Sequence, residues 1–174
     1  MPSPAVDLDN RSHQIFPVLG AADIKHMRRF GHARRFHDGE KVIIAGQTSF
    51  GLMLVLSGGI EITRHDGLGN AAAITVHSAG QFSGEVAQLS GRPALVNGHA
   101  VGETEVLVVP SESLRALLVA HADLGERIVR ALILRRVGLI ESNSGGPVLV
   151  GRSSDRVREY RWHLAICASS GPMP

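Results

Sequence analysis

The sequence predicts a mainly β domain, a sandwich or barrel flanked by helices, on three observations. Between Ala33 and Pro110, short runs of β-favouring residues are broken by glycine roughly every 8 to 12 residues. Twenty glycines stand against eight prolines in 174 residues, which suits many short elements and tight turns. Apolar residues at clear helical spacing lie before and after that middle zone. With 44% hydrophobic residues the chain has material for one real core, and disorder is excluded as its main state.

The elements follow in order. Residues 1–14 read as a lead-in. Ile24, Met27 and Phe30 recur at helical spacing over Ala21–Phe30, with Gly31 as a stop. Seven strand-like runs come next: Arg35–His37, Lys41–Ile44, Leu52–Leu56, Ile60–Arg64, Ala73–His77, Leu95–Val101 and Glu105–Val109. Asp38-Gly39, Ser57-Gly58-Gly59, Ala79-Gly80 and Gly102-Glu103 are among their separators, glycine reaching positive φ without strain. Pro110-Ser111 opens a helix that Ser111 can cap, with Leu114, Leu117 and Leu118 on one side. The longest helix runs from about Leu124 to Ile140. Its stripe of Leu124, Ile128, Leu132, Val137 and Ile140 is broadened by Val129 and Ile133, and its arginines fall mostly elsewhere. Asn143-Ser144-Gly145-Gly146-Pro147 is a linker, Val148–Val150 a possible strand, and the basic tail beyond it has no convincing period. The domain is therefore set at 15–141, with linker and tail at 142–174.

Charge and chemistry narrow the function. A net charge of +2 gives little support for wrapping nucleic acid. The lone Cys167 excludes a disulfide framework, and the N-terminus lacks a signal peptide. No apolar run reaches the roughly 18 residues of a membrane span. The expected home is the cytoplasm, with no membrane contact. His26, His32 and His37 lie near one another, but their spacing crosses a helix stop, so no metal site is expected. No serine elbow is present, and Glu103 and Glu105 are expected to face water. No enzyme is read here.

Two motifs carry a resemblance. Gly80-Gln81-Phe82-Ser83-Gly84-Glu85-Val86-Ala87 is similar to the phosphate-binding cassette of cyclic-nucleotide-binding domains, and Met53–Ile62 resembles that family's strand–glycine–strand signature. The resemblance spans about residues 15–141. It implies a double-stranded, jelly-roll-like β-roll with an N-terminal helix and two C-terminal helices. The implied ligand is a cyclic or related purine nucleotide, with no cofactor. Gly84 admits a close backbone approach, and the amides around Gly84–Ala87 form an anion-attracting helix start. By resemblance Glu85 accepts from the ribose 2′-hydroxyl, and the site includes Gly84, Glu85, Val86, Ala87, Arg92, Ala94, Leu95 and Asn97. Position 94 departs from the pattern: the family has an arginine for the phosphate where this chain has Ala94, and Arg92 stands two residues earlier. Asn97 aligns with a usual threonine or serine, and with Gly98 it also reads as a turn or bulge.

In this family the long helix moves onto the pocket. Here a dimer or partner contact is expected through the Leu124–Ile140 helix, on a face bearing Ile128, Val129, Leu132 and Ile133. The 33 residues after Glu141 show no helix-turn-helix, so no DNA-binding unit is expected within them. The runs Gly80–Ala100, Leu124–Arg136 and Gly145–Gly151 also resemble the N-terminal sensor part of thioredoxin-reductase-like flavoproteins, without a dinucleotide glycine fingerprint. Two alternatives stay open: a cassette taking guanine or other non-cyclic nucleotides, and a ligand-free interaction module.

Overall fold

The computed structural model describes residues 12–48, 51–65, 71–84 and 92–143. Two short helices, α1 (Ser12–Ile15) and α2 (Ala21–Met27), precede six strands. These are β1 (His32–Phe36), β2 (Lys41–Ile43), β3 (Leu52–His65), β4 (Ala71–Ser78), β5 (Phe82–Ser83) and β6 (Asn97–Val109). Helices α3 (Ser111–Ala120) and α4 (Ala122–Asn143) follow. Every strand pairing is antiparallel, in the order β1-β6-β3-β4, with β2 on β6 and β5 on β3. The expected β-roll with flanking helices is the observed architecture. The possible Val148–Val150 strand and the basic tail lie outside the described residues.

The long strands bury both faces, which explains their unbroken apolar runs. Side chains alternate across a strand, so Leu52 and Leu54 of β3 face one side while Met53 and Val55 face the other. Leu107 and Val109 of β6 join the first set, and Val106 and Val108 the second. The first set packs under the helices with Met27, Phe82, Leu114, Leu117, Leu124, Ile128 and Leu132. The second forms the inner core of the roll with Phe36, Val42, Ile43, Ile60, Ile62, Ala94 and Val96.

Several expectations are corrected. The runs Leu52–Leu56 and Ile60–Arg64 are one strand, and so are most of Leu95–Val101 and Glu105–Val109. The separators Ser57-Gly58-Gly59 and Gly102-Glu103 are irregularities inside these strands, with the β3–β6 register shifting around Ser57. Gly58 has φ +74°, and a Cβ there would stand 2.5 Å from the Glu103 carbonyl oxygen. Thr104 closes the kink: its hydroxyl accepts from the Gly59 amide at 3.2 Å and faces the Gly59 and Val101 carbonyls at 3.0 and 3.1 Å. Pro110 takes the cap position of α3, so Ser111 is already its first helical residue.

Helix α4 divides differently from expectation. Ile128 and Leu132 are fully buried under the roll, whereas Ile133 is 49% exposed and Val137 38%. Of the expected contact face, then, Ile128 and Leu132 are buried within the fold, and Val129 is half-buried and Ile133 exposed. Asp23 of α2 pins α4 through Arg127 at 2.7 Å, and that guanidinium holds the carboxyl below its usual range.

Candidate ligand-binding site

The site is built around β5, where the cassette motif begins. Gly80 turns the chain at φ +82°, a conformation that favours glycine, and its carbonyl accepts the Leu19 amide at 2.7 Å. The Gly80 amide donates to Val55, and Gln81 returns a carbonyl to the Val55 amide, both at 2.9 Å. Gln81 also holds the turn with its side chain, Oε1 accepting from the Ser78 amide at 2.9 Å. Met53 and Leu54 of β3 then pair with Ser83 and Phe82. Phe82, Ser83 and Gly84 are buried, so the cassette starts from a buried strand end paired with β3. Glu85, Val86 and Ala87, the heart of the expected site, lie outside the described residues.

The return limb is visible from Arg92. Arg92 is exposed, and Pro93 bridges to Thr48. Ala94 donates its amide to Gln47 and accepts from Gly46, at 2.9 and 2.8 Å, and its methyl belongs to the inner core of the roll. Position 94 thus points inward, so an arginine here would reach into the roll, and alanine leaves that space to apolar neighbours. Leu95 is 51% exposed, pointing away from the core that Ala94 and Val96 enter. Asn97 opens β6 and accepts the Ala45 amide on Oδ1 at 2.9 Å, tying the turn after β2 to the sheet. Met53 pairs with Ser83, next to Gly84, and belongs to the same inner core cluster as Ala94.

Sequence reasoning missed a half-buried arginine and a buried histidine near β5. Arg135 of α4 turns its guanidinium inward: Nε donates to the Ile15 carbonyl and Nη1 to the Phe82 carbonyl, both at 2.9 Å. The cation lies 4.7 Å from the Phe82 ring centroid and 5.1 Å from that of Phe16. Burial pushes its pKa down to about 9, which leaves it charged at neutral pH. His77 of β4 is also buried, 5.7 Å from the Phe16 ring, and desolvation, with the Arg135 charge, holds its pKa well below the usual value. Arg135 lies one heptad after Ile128, on the inner stripe of α4, but a lone cation on that stripe gives no sign in the sequence that it is covered.

Elsewhere Glu103 faces His37 at 3.1 Å and raises its pKa, the two lying at the surface where β6 bends. Among the described residues no group of three histidine, cysteine or acidic side chains is placed to hold a metal ion. No helix among them is long and apolar enough to cross a membrane.

The comparisons agree with this architecture. The family model described as the cyclic nucleotide-binding domain matches residues 33–121, just over half of the chain. The chain belongs to that family. Among solved structures it is similar to the catabolite activator protein of Thermus thermophilus, at 21% identity and TM-score 0.64, covering 76% of this chain and 62% of that one. It is similar also to the c-di-GMP responsive global regulator CLP of Xanthomonas campestris, at 20% identity and TM-score 0.58, covering 68% and 58%. A third likeness is to oxidized CprK in complex with o-chlorophenolacetic acid, at 15% identity and TM-score 0.59, covering 74% and 52%. The chain therefore spans between half and two thirds of these regulators. No curated protein matches it.

Proposed function

We propose that this chain is a non-enzymatic, cytoplasmic ligand-sensing module that binds a cyclic or related purine nucleotide at its cassette. Glu85 accepts from the ribose, and the amides around Gly84, Val86, Ala87 and Leu95 meet the phosphate. Asn97 stays in its turn role. The observation that carries the reading is the Gly84-Glu85 pair continuing directly from β5, whose end is buried and bonded to β3. Motif and scaffold agree at one place. Output is movement of α4, whose inner stripe packs on Phe82 in the same core cluster, so a shift of the cassette is felt by the helix. The outer Val129–Ile133–Val137 stripe is where a second copy or a partner docks.

One observation favours a second reading. Ala94 lies in the apolar interior where the family places a phosphate-binding arginine, and CLP, of the same fold, is described as c-di-GMP responsive. A guanine nucleotide of different phosphate geometry suits that change.

A thermal-shift panel decides between them. Cyclic AMP, cyclic GMP, c-di-GMP and linear adenine and guanine nucleotides are each added at millimolar concentration. Stabilisation by cyclic AMP or cyclic GMP supports the first reading. A response confined to c-di-GMP or linear guanine nucleotides supports the second. No response at all leaves a ligand-free interaction module. A ligand present at about 100 times its Kd adds roughly 2.7 kcal/mol of stability, a rise that such melts resolve easily.

A further inference from the structure

Positive charge is concentrated in one short stretch of this chain. Between Asp23 and Asp38 there is no acidic residue, and Lys25, Arg28, Arg29, Arg34 and Arg35 all fall there. Elsewhere thirteen lysines and arginines stand against sixteen acidic residues, so the rest of the chain is net acidic. The fold gathers the stretch on a turn and a strand. Arg28 and Arg29 are exposed in a tight turn, where the Arg29 amide donates to His26 at 3.2 Å and the Phe30 amide to Met27 at 2.9 Å. Gly31 then lets the chain lie close on β6, since a Cβ there would collide with the Val108 carbonyl. β1 starts at the next residue, and four of its five residues are exposed.

β1 is an edge strand. It pairs with β6 and, among the described residues, with no other strand. Its outer edge is a backbone ladder about 17 Å long that no described strand takes up. The two faces of the strand differ. Arg35 stands opposite Glu105, 4.0 Å from its carboxylate, and His37, just past the strand end, meets Glu103 at 3.1 Å. His32 and Arg34 stand opposite Val108 and Val106, and the Arg34 guanidinium lies 4.7 Å from the Phe36 ring centroid. Along β1, β6 thus sets a carboxylate against one face and valines against the other. Charge on an edge strand commonly keeps like copies apart. That role explains the basic side chains of β1 but asks nothing of Arg28 and Arg29, which precede the ladder. It also excludes a second copy here, because two such edges would set arginine against arginine. A nucleic acid fits less well. Phe30 is half-buried and Phe36 buried, so the stretch offers no exposed phenylalanine, tyrosine or tryptophan for a base to stack on, and a phosphodiester chain makes no use of a backbone ladder.

We propose that the outer edge of β1 docks an extended acidic segment of a partner protein, added as a further strand with carboxylates at alternate positions beside His32 and Arg34. The backbone ladder supplies the hydrogen bonds, and charge selects the partner and the face it presents. Arg28 and Arg29 extend the same attraction past the end of the strand. The inference goes beyond the nucleotide reading and does not depend on it, because edge and cassette use separate residues.

The probe is a fluorescein-labelled octapeptide of alternating glutamate and threonine, titrated with the full chain and read by anisotropy. A block peptide of four glutamates followed by four threonines has the same charge and composition but the wrong pattern. A copy of the alternating peptide N-methylated throughout has the right pattern but donates no ladder hydrogen bond. Wild type is expected to bind the alternating peptide at least about 10-fold more tightly than either control. The double variant His32→Ser/Arg34→Ser, both at exposed sites, is expected to bind it at least about 10-fold more weakly with an unchanged thermal melt. Lys41→Ser, which removes an exposed cation outside the stretch, leaves the affinity as it is.

Equal affinity for the alternating and block peptides would make the surface a general cation patch and overturn the proposal. Full-strength binding of the methylated copy overturns it as well, since no strand would then be added. An octathymidine oligonucleotide that binds more tightly than the alternating peptide, and loses its binding in the double variant, assigns the surface to nucleic acid instead. No anisotropy change from any peptide at millimolar protein also overturns the docking site. The comparisons among peptides use wild type alone, so they decide the matter even if the double variant does not fold.

Discussion

Thr104 and His77 show how much rests on single buried polar groups. The Thr104 hydroxyl satisfies the Gly59 amide at a point where the β3–β6 ladder is broken. Thr104→Val keeps the shape but leaves that amide without a partner, and the expected cost is about 1–3 kcal/mol in urea unfolding. His77 behaves in the opposite sense from a paired histidine. Its folded pKa lies well below the unfolded value of 6.5, so the unfolded chain binds the extra proton first. Stability is therefore complete above pH 6.5 and falls as the pH drops through the window below it. The slope owed to this one group approaches about 1.4 kcal/mol per pH unit. His77→Leu is expected to flatten the fall in Tm between pH 7 and pH 5. An equally steep fall in the variant would assign it to other groups.

Among the elements, α4 is the one whose two faces differ most in burial. Its inner face, with Leu124, Ile128, Ala131 and Leu132, closes the helical core against Phe82 and Leu54. Its outer face leaves Ile133 half exposed beside Val137. Docking of a second copy along this face predicts that wild type dimerises in sedimentation equilibrium. Ile133→Glu is then expected to weaken the dimer by roughly 10- to 100-fold, since a charge must be desolvated where an apolar contact is lost. Equal molar masses for both proteins would remove the helix as the interface. The strands teach a related point about reading sequence. Glycine was legible as a break in β-structure, yet Gly58 and Gly102 break the ladder without ending the strand, because positive φ serves a bulge as well as a turn. Local composition cannot separate the two. Only the partner strand can, here through Glu103 and Thr104 packing against Gly58.

At the scale of the whole molecule, the order helix, roll and two helices was readable because each zone has its own period. The scaffold leading into the candidate site was readable from the motif as far as Gly84, where the described part of the cassette ends. The half-buried Arg135 near β5 was not. A cation on an otherwise apolar stripe reads as solvated until the fold shows Phe16, Ile15 and Phe82 closing around it. On the proposed function, the ligand lies between a strand-anchored cassette and a helix that shares a core cluster with Phe82, and binding is coupled to helix position. Isothermal titration of wild type and Glu85→Ala with cyclic AMP and cyclic GMP tests this most directly. The account predicts one-to-one binding of at least one of them by wild type, weakened at least about 10-fold in Glu85→Ala by loss of a charge-assisted hydrogen bond. No heat from either nucleotide, or equal affinity in the variant, would contradict it.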